Sequence, residues 1–197
     1  TPEGWAKFES RQSIIKVKDG EPVTVTLRWS RNGPILPGTH YDLGSITPPG
    51  HVAAISWTAL SGADTSLSGA MAMMRAGGVD QAIEAGRKVI APAQNVMLAD
   101  GKGIAMQVMG AIPARDAGHP SQGRLPALGS DARVGFKGVL PYEENPVFRD
   151  PASGLLGNTN NKTVDRPFPH HVSFDWGDTQ RIQRWLTLMK AREVHTR

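Results

Sequence analysis

The chain has 197 residues, of which 39% are hydrophobic and 20% charged; this is enough apolar content for a folded core and excludes a disordered segment. It has no cysteine, which excludes disulfides, thiolate metal sites and a cysteine nucleophile. The formal charge of +4 and pI near 9.6 come from scattered Lys and Arg without the basic block or aromatic-interleaved stripe of a nucleic-acid binder, and no apolar run reaches the ~18 residues of a membrane span.

Residues 13–29 place Asp19-Gly20 between two β-rich runs, with Val23, Val25 and Leu27 alternating with Thr24 and Thr26, so a hairpin is predicted. Pro22 removes an amide donor near the start of the second run, which puts the hairpin at a sheet edge. A Pro-Gly-rich connection then leads to residues 51–60, a short apolar run predicted as a strand. Over 66–91 the period changes. Leu67, Ala70, Met71 and Met74 share one helical face, and Val79, Ala82, Ile83, Gly86, Val89 and Ile90 share another, with Gly77-Gly78 as the break. Two short helices are expected, with Met71, Met73 and Met74 as adaptable core.

Residues 95–112 repeat the hairpin signature around Asp100-Gly101-Lys102-Gly103. This Gly-Lys-Gly lacks both the Gly-rich approach and the following Ser/Thr of a phosphate loop. From 113 to 153 recurrent prolines predict a long surface excursion. A final helix is expected over 178–194, with Asp178 as cap, Ile182, Trp185, Leu186 and Met189 as apolar stripe, and Arg181, Arg184, Lys190 and Arg192 as a solvated basic border. Strands, a helical pair, strands, a loop and a helix read as one α+β domain over 1–197, mostly antiparallel, with no internal boundary.

No complete catalytic set stands out. The histidines (His40, His51, His119, His170, His171 and His195) lack helical zinc spacing, Pro169-His170-His171 reads as a polar loop, and no G-x-S-x-G elbow occurs. An N-terminal Thr can act as nucleophile with its own amine as base, but Thr1 precedes Pro2 and a polar stretch rather than a strand that would present it, so it is not assigned that role. Residues 158–161, Asn-Thr-Asn-Asn, allow two readings: a turn, or an amide aimed at the negative charge that develops in acyl transfer.

The hairpin running into RNGPIL, the SWTAL segment, NVMLADGKGIAMQVMGAIPAR, GVLPYEENPVFRDPASGLLGNTNNK and FDWGDTQRIQRW, in that order, resemble the β-chain of the penicillin acylase family from about Ser10 to Arg192. That family includes penicillin, cephalosporin and aculeacin acylases and acyl-homoserine-lactone acylases. The resemblance implies an Ntn-hydrolase αββα sandwich and a precursor that cleaves itself to expose a Ser nucleophile at the β-chain N-terminus. It implies hydrolysis of a linear amide in a β-lactam or acyl-homoserine-lactone type of small molecule, with no cofactor required, in a periplasmic or secreted enzyme. By the same resemblance this chain is an internal piece of the β-chain, without the Ser, that works with the remaining α- and β-chain segments and binds no nucleic acid.

In relatives the third residue of an Asn-X-Asn-Asn element supplies its side-chain amide to the oxyanion hole. Here that residue is Asn160, with Asn158 and Asn161 as turn or support residues and Thr159 where Trp is frequent. An Arg one turn into the helix after the Trp-Gly step lies near the catalytic centre in relatives, and Arg181 occupies that place. Several relatives bind a structural calcium, one of whose carboxylates falls at His170 by spacing; a hard cation wants oxygen there, so that ligand is not expected to be kept. Two readings from other classes stay open: a non-catalytic β-rich ligand-binding module and, on pI and basic tail alone, a nucleic-acid or anionic-surface binder.

Overall fold

In the computed structural model, which describes residues 1–164, 170–192 and 194, the β-rich opening forms β1 (Glu9–Ile15), β2 (Val23–Ser30) and β3 (Gly33–Leu36). Strand β1 starts earlier than the alternating run suggests, because pairing with β2 extends from Ile15↔Val23 back to Glu9↔Trp29. The turn takes up residues 16–22, with Asp19 left-handed at φ 56°. β1 is the edge of a four-stranded sheet in which β2 and β3 follow it in order, and Pro22 falls just outside β2.

The strand expected over 51–60 shrinks to β4 (Ala53–Ala54), followed by a 3-10 turn at Thr58–Leu60. Beyond β4, Ile55 N still donates to the Pro34 carbonyl at 3.1 Å, and at Gly33, φ 114°, a Cβ would lie 2.0 Å from the carbonyl oxygen of Ile55, so only glycine leaves room for this close approach. A 3-10 turn at His40–Asp42 and α1 (Leu43–Ile46) interrupt the Pro-Gly connection.

The chain packs as two compact units, residues 1–60 with 114–138, and residues 61–113 with 139–197. Because the first is discontinuous in sequence, no linker composition marks its limits. The second holds α2 (Ser66–Met73), α3 (Val79–Gly86), β5 (Gln94–Ala99), β6 (Ile104–Met109), β9 (Val147–Arg149) and α4 (Gln180–Lys190). A two-stranded ribbon of β7 (Pro113–Arg115) and β8 (Phe136–Val139) carries the chain from this unit to the other and back.

The helical pair forms as predicted, but α2 buries the opposite face. Gly69 is its buried residue, and a Cβ there would meet Val89 at 3.0 Å and the Ala85 carbonyl at 3.3 Å. At 3.6 residues per turn, Leu67, Met71 and Met74 lie about 140–200° round the helix from Gly69. They are therefore exposed, Leu67 at 78% and Met74 at 81%, so that of the three methionines expected as adaptable core Met71 and Met74 face outward and Met73 alone is half-buried. Helix α3 follows the expected face, with Val79, Ala82 and Gly86 buried.

The start of α3 is tied to the second hairpin. Asp100 Oδ2 accepts from Val79 N at 2.9 Å, while its Oδ1 accepts from Lys102 N and Gly103 N at 2.7 and 3.1 Å. These backbone donors, Val79 foremost, hold the Asp100 carboxyl below its ordinary value. Strand β6 lies between β5 and β9 with α3 packed against it, and Ala105 to Met109, which point alternately to the two faces, are all buried. The buried apolar residues Val79, Ala82, Ala105, Met106, Val108, Met109 and Ile112 all belong to this unit.

The predicted excursion over 113–153 contains β7, β8, a 3-10 turn at Tyr142–Glu144 and β9. Tyr142 Oη donates to the Ile83 carbonyl at 2.8 Å, and buried Asn145 Nδ2 donates to the carbonyls of Val108 and Gly110 at 3.0 and 2.9 Å. The final helix is shorter than 178–194. Thr179 is its N-cap, and Asp178 instead accepts from Gln180 N at 3.3 Å. Ile182, Trp185 and Met189 are half-buried as the stripe predicts, while Leu186 is more exposed. Pro169, His195 and Arg197 lie outside the described residues.

Candidate active site

The asparagine loop is built by close backbone approaches. At Gly157 a Cβ would sit 2.6 Å from the Trp185 indole, so the chain entering the loop lies directly on α4. Asn158 then turns the chain: its Oδ1 accepts from Asn160 N at 3.0 Å, an Asx-type closure. Asn160 is left-handed at φ 67°, a conformation Asn tolerates better than most residues. Asn161 Oδ1 accepts from Thr159 N at 3.0 Å, and its Nδ2 donates to the Lys162 carbonyl at 3.0 Å. Asn161 thus spends its amide inside the loop, and Asn158 Nδ2 does the same, donating to the Asn161 carbonyl at 3.3 Å.

Gly177 clamps the loop from the other side. Its N–H donates to the Asn160 carbonyl at 3.0 Å, and Asn161 and Gly177 form an isolated parallel bridge. A Cβ on Gly177 would stand 2.7 Å from that carbonyl oxygen. Four residues further on, Arg181 in the first turn of α4 donates from Nη2 to Asn160 Oδ1 at 3.0 Å. The two residues singled out by resemblance, 21 apart in sequence, are therefore in direct contact.

This contact also fixes which way the amide points. A guanidinium only donates, so the atom facing Arg181 is the carbonyl oxygen of the side chain and Nδ2 takes the other side. Asn160 is exposed, and among the described residues nothing accepts from its Nδ2. The loop thus presents one oriented, uncommitted N–H donor pair to its surroundings. Asn158 Oδ1 also accepts from Asn95 Nδ2 at 3.1 Å, tying the loop to β5. Sequence reading passed over Asn95; the available signal was an amide inside a β-run, where Asn is depleted.

Other candidates fall elsewhere. The amine and hydroxyl of Thr1 both donate to the Gly4 carbonyl at 2.8 Å, in a turn outside any strand. His170 pairs through Nε2 with Glu144 Oε2, and His171 packs on Phe174 with ring centroids 4.0 Å apart. At His170 an imidazole nitrogen stands where the resemblance implies a calcium carboxylate, and among the described residues no group of three or more His, Asp or Glu could hold a metal ion. No helix among the described residues is long and apolar enough to cross a membrane.

Antiparallel sheets with packed helices make this an α+β fold, and comparison with known proteins identifies its family. The profile of the penicillin amidase family matches residues 1–197, and the chain belongs to that family. It is 30% identical over 188 residues to the acyl-homoserine lactone acylase QuiP of Pseudomonas syringae pv. tomato, covering 95% of this chain and 22% of the relative. To penicillin G acylase of Escherichia coli it is 31% identical over 190 residues, covering 95% and 21%. It therefore spans about a fifth of the length of these curated relatives. Thermostable penicillin G acylase from Alcaligenes faecalis shares the fold, with a TM-score of 0.76 at 20% identity over 100% of this chain and 35% of that one. The α+β, Ntn-hydrolase expectation holds.

Proposed function

We propose that this chain is part of an N-terminal-nucleophile amidohydrolase that cleaves a linear carbon–nitrogen amide and releases an acyl group, with Asn160 as oxyanion donor and Arg181 as the group that orients it. One observation carries this reading: Arg181 Nη2 holds Asn160 Oδ1 at 3.0 Å and leaves Nδ2 as the outward donor. When a nucleophile adds to an amide carbonyl, charge accumulates on the carbonyl oxygen. A donor already in place stabilises that charge without reorganising.

The names of the relatives support an acylated small molecule of the β-lactam or acyl-homoserine-lactone class as substrate. The short share of their length that the chain spans supports a nucleophile and acyl pocket on other segments of the same polypeptide. The acyl transfer needs no cofactor, and a periplasmic or secreted location accompanies the family resemblance.

In the complete, matured enzyme, Asn160→Ala is expected to lower kcat by roughly 10² to 10³ with little change in KM, because the bond is worth most in the transition state. Near-native kcat in the matured variant overturns the assignment. Self-cleavage passes through a similar oxyanion, so processing is scored separately on gels. The isolated 197-residue chain is expected to turn over neither phenylacetyl amides nor acyl-homoserine lactones. Turnover above a heat-killed control would return Thr1 to consideration.

A further inference from the structure

The asparagine loop is clamped on one side by Gly177, Arg181 and Trp185, all in the segment that leads into α4 or in α4 itself. On the other side, the side-chain tether of residues 158–161 to a sheet strand is the bond from Asn95 Nδ2 to Asn158 Oδ1. Asn158 Oδ1 is a shared acceptor. It takes the Asn160 backbone N–H at 3.0 Å and the Asn95 amide at 3.1 Å, which uses both of its lone pairs. The chemistry of this relay is not ambiguous. A backbone N–H only donates, so the Asn158 atom facing Asn160 is the oxygen, and Asn95 must present its NH₂ to that same oxygen.

Asn95 is well placed to serve as an anchor. It sits on β5, opposite Val108 of the buried central strand β6, and is half-buried. Pulling on Asn158 Oδ1 from β5 fixes the carboxamide that closes the turn, and the turn fixes the left-handed backbone of Asn160 at φ 67°. Without Asn95, Asn158 keeps its contacts within the loop, from Nδ2 to the Asn161 carbonyl at 3.3 Å and from Asn160 N to Oδ1 at 3.0 Å, but the carboxamide that closes the turn loses its tie to the sheet. Misplacing a catalytic donor by about 1 Å can cost up to 10²-fold in rate.

Resting on the reading of Asn160 as the oxyanion donor, we infer that Asn95 is a positioning residue of the acylase, acting through Asn158 to set where Asn160 points. It does not touch the reacting atoms. Its contribution is to kcat, through the geometry of a donor that matters in the transition state, and not to substrate affinity.

The test uses the complete, matured enzyme and a double-mutant cycle. Asn95→Ala is expected to lower kcat about 10-fold with KM within about two-fold, and to have no further effect on kcat in an Asn160→Ala background. Asn95→Asp, nearly isosteric but acceptor-only at neutral pH, sets two acceptors face to face at the Asn158 oxygen and should match or exceed the loss. Asn95→His, which retains a ring N–H donor, should recover part of it. Thermal midpoints of all variants are recorded, so that a folding defect in Asn95→Ala is recognised and the isosteric Asn95→Asp decides. If Asn160→Ala itself keeps near-native kcat, the donor reading fails and this inference with it. If Asn160→Ala loses activity but Asn95→Ala and Asn95→Asp keep theirs, or if Asn95→Ala loses as much in the Asn160→Ala background as in the native one, the positioning role alone is overturned.

Discussion

The two long hairpins of the chain share an Asp-Gly turn and differ in fate. In β2, Val23, Val25 and Leu27 alternate with polar residues, whereas β6 is apolar apart from Gln107; β1–β2 contains no buried residue while β6 buries Ala105 to Met109 without interruption. The difference is what lies beside them. Strand β6 is flanked by β5 and β9, with Tyr142, Asn145 and Gly86 of α3 closing over its end, whereas β1 is an edge strand with Ile14 and Ile15 69% and 52% exposed. A hairpin is a local decision; burial is a decision of the neighbours.

The comparison breaks first at Met109, the largest fully buried side chain. Met109→Ala is expected to cost about 2–5 kcal/mol by denaturant unfolding, because the site, packed against Gly86, cannot collapse to fill the hole. A cost below about 1 kcal/mol would mean that the β5–β6–β9 sheet is no better packed than the open hairpin.

Acid sharpens the contrast between the two turns. Asp100 ties the β5–β6 turn to the start of α3, and its folded pKa lies below its ordinary 3.8, so its stabilisation is complete above that value and is lost as pH falls through the lower, folded one. The turn of β1–β2 is closed by Gly20 N to the Val17 carbonyl at 3.3 Å, with no carboxylate involved. The amide resonances of Val79 and Lys102 should therefore titrate with a midpoint below 3.8, and Asp100→Asn should remove the titration. A midpoint at or above 3.8 would contradict the anchor.

The smallest effect is expected in the first hairpin. Leu27→Ala, at a position 37% exposed, should change the stability of the 197-residue chain by under about 1 kcal/mol. A cost like that of Met109→Ala would show the Leu27 face to be packed, and the difference between the hairpins would disappear.

Much of this architecture could be read from the residues. Asp19-Gly20 and Asp100-Gly101 marked both hairpins because turn chemistry is local, and Gly77-Gly78 parted the two helices for the same reason. Strand β9 escaped notice: Val147–Arg149, between Pro146 and Pro151, is a strand only because Gln107, Met106 and Ala105 pair with it from far away. The Met71 and Met74 stripe misled because the apolar pattern of α2 says which faces are greasy, not that Gly69 lets α3 come closest on the other side. Asn160 and Arg181 were visible through resemblance alone, since nothing in a spacing of 21 residues predicts a 3.0 Å contact. Asn95 carried no such cue, because its importance depends on where Asn158 folds back to meet it.

The bond between Arg181 and Asn160 does more than hold an orientation. A full positive charge on one end of a carboxamide draws electron density through the conjugated O–C–N unit toward Oδ1, which leaves the hydrogens on Nδ2 more positive than those of an ordinary amide. The remote guanidinium thus works as an electronic amplifier as well as a mechanical brace. Any electron-rich atom that meets Asn160 from the open side meets a stronger donor than asparagine alone can offer.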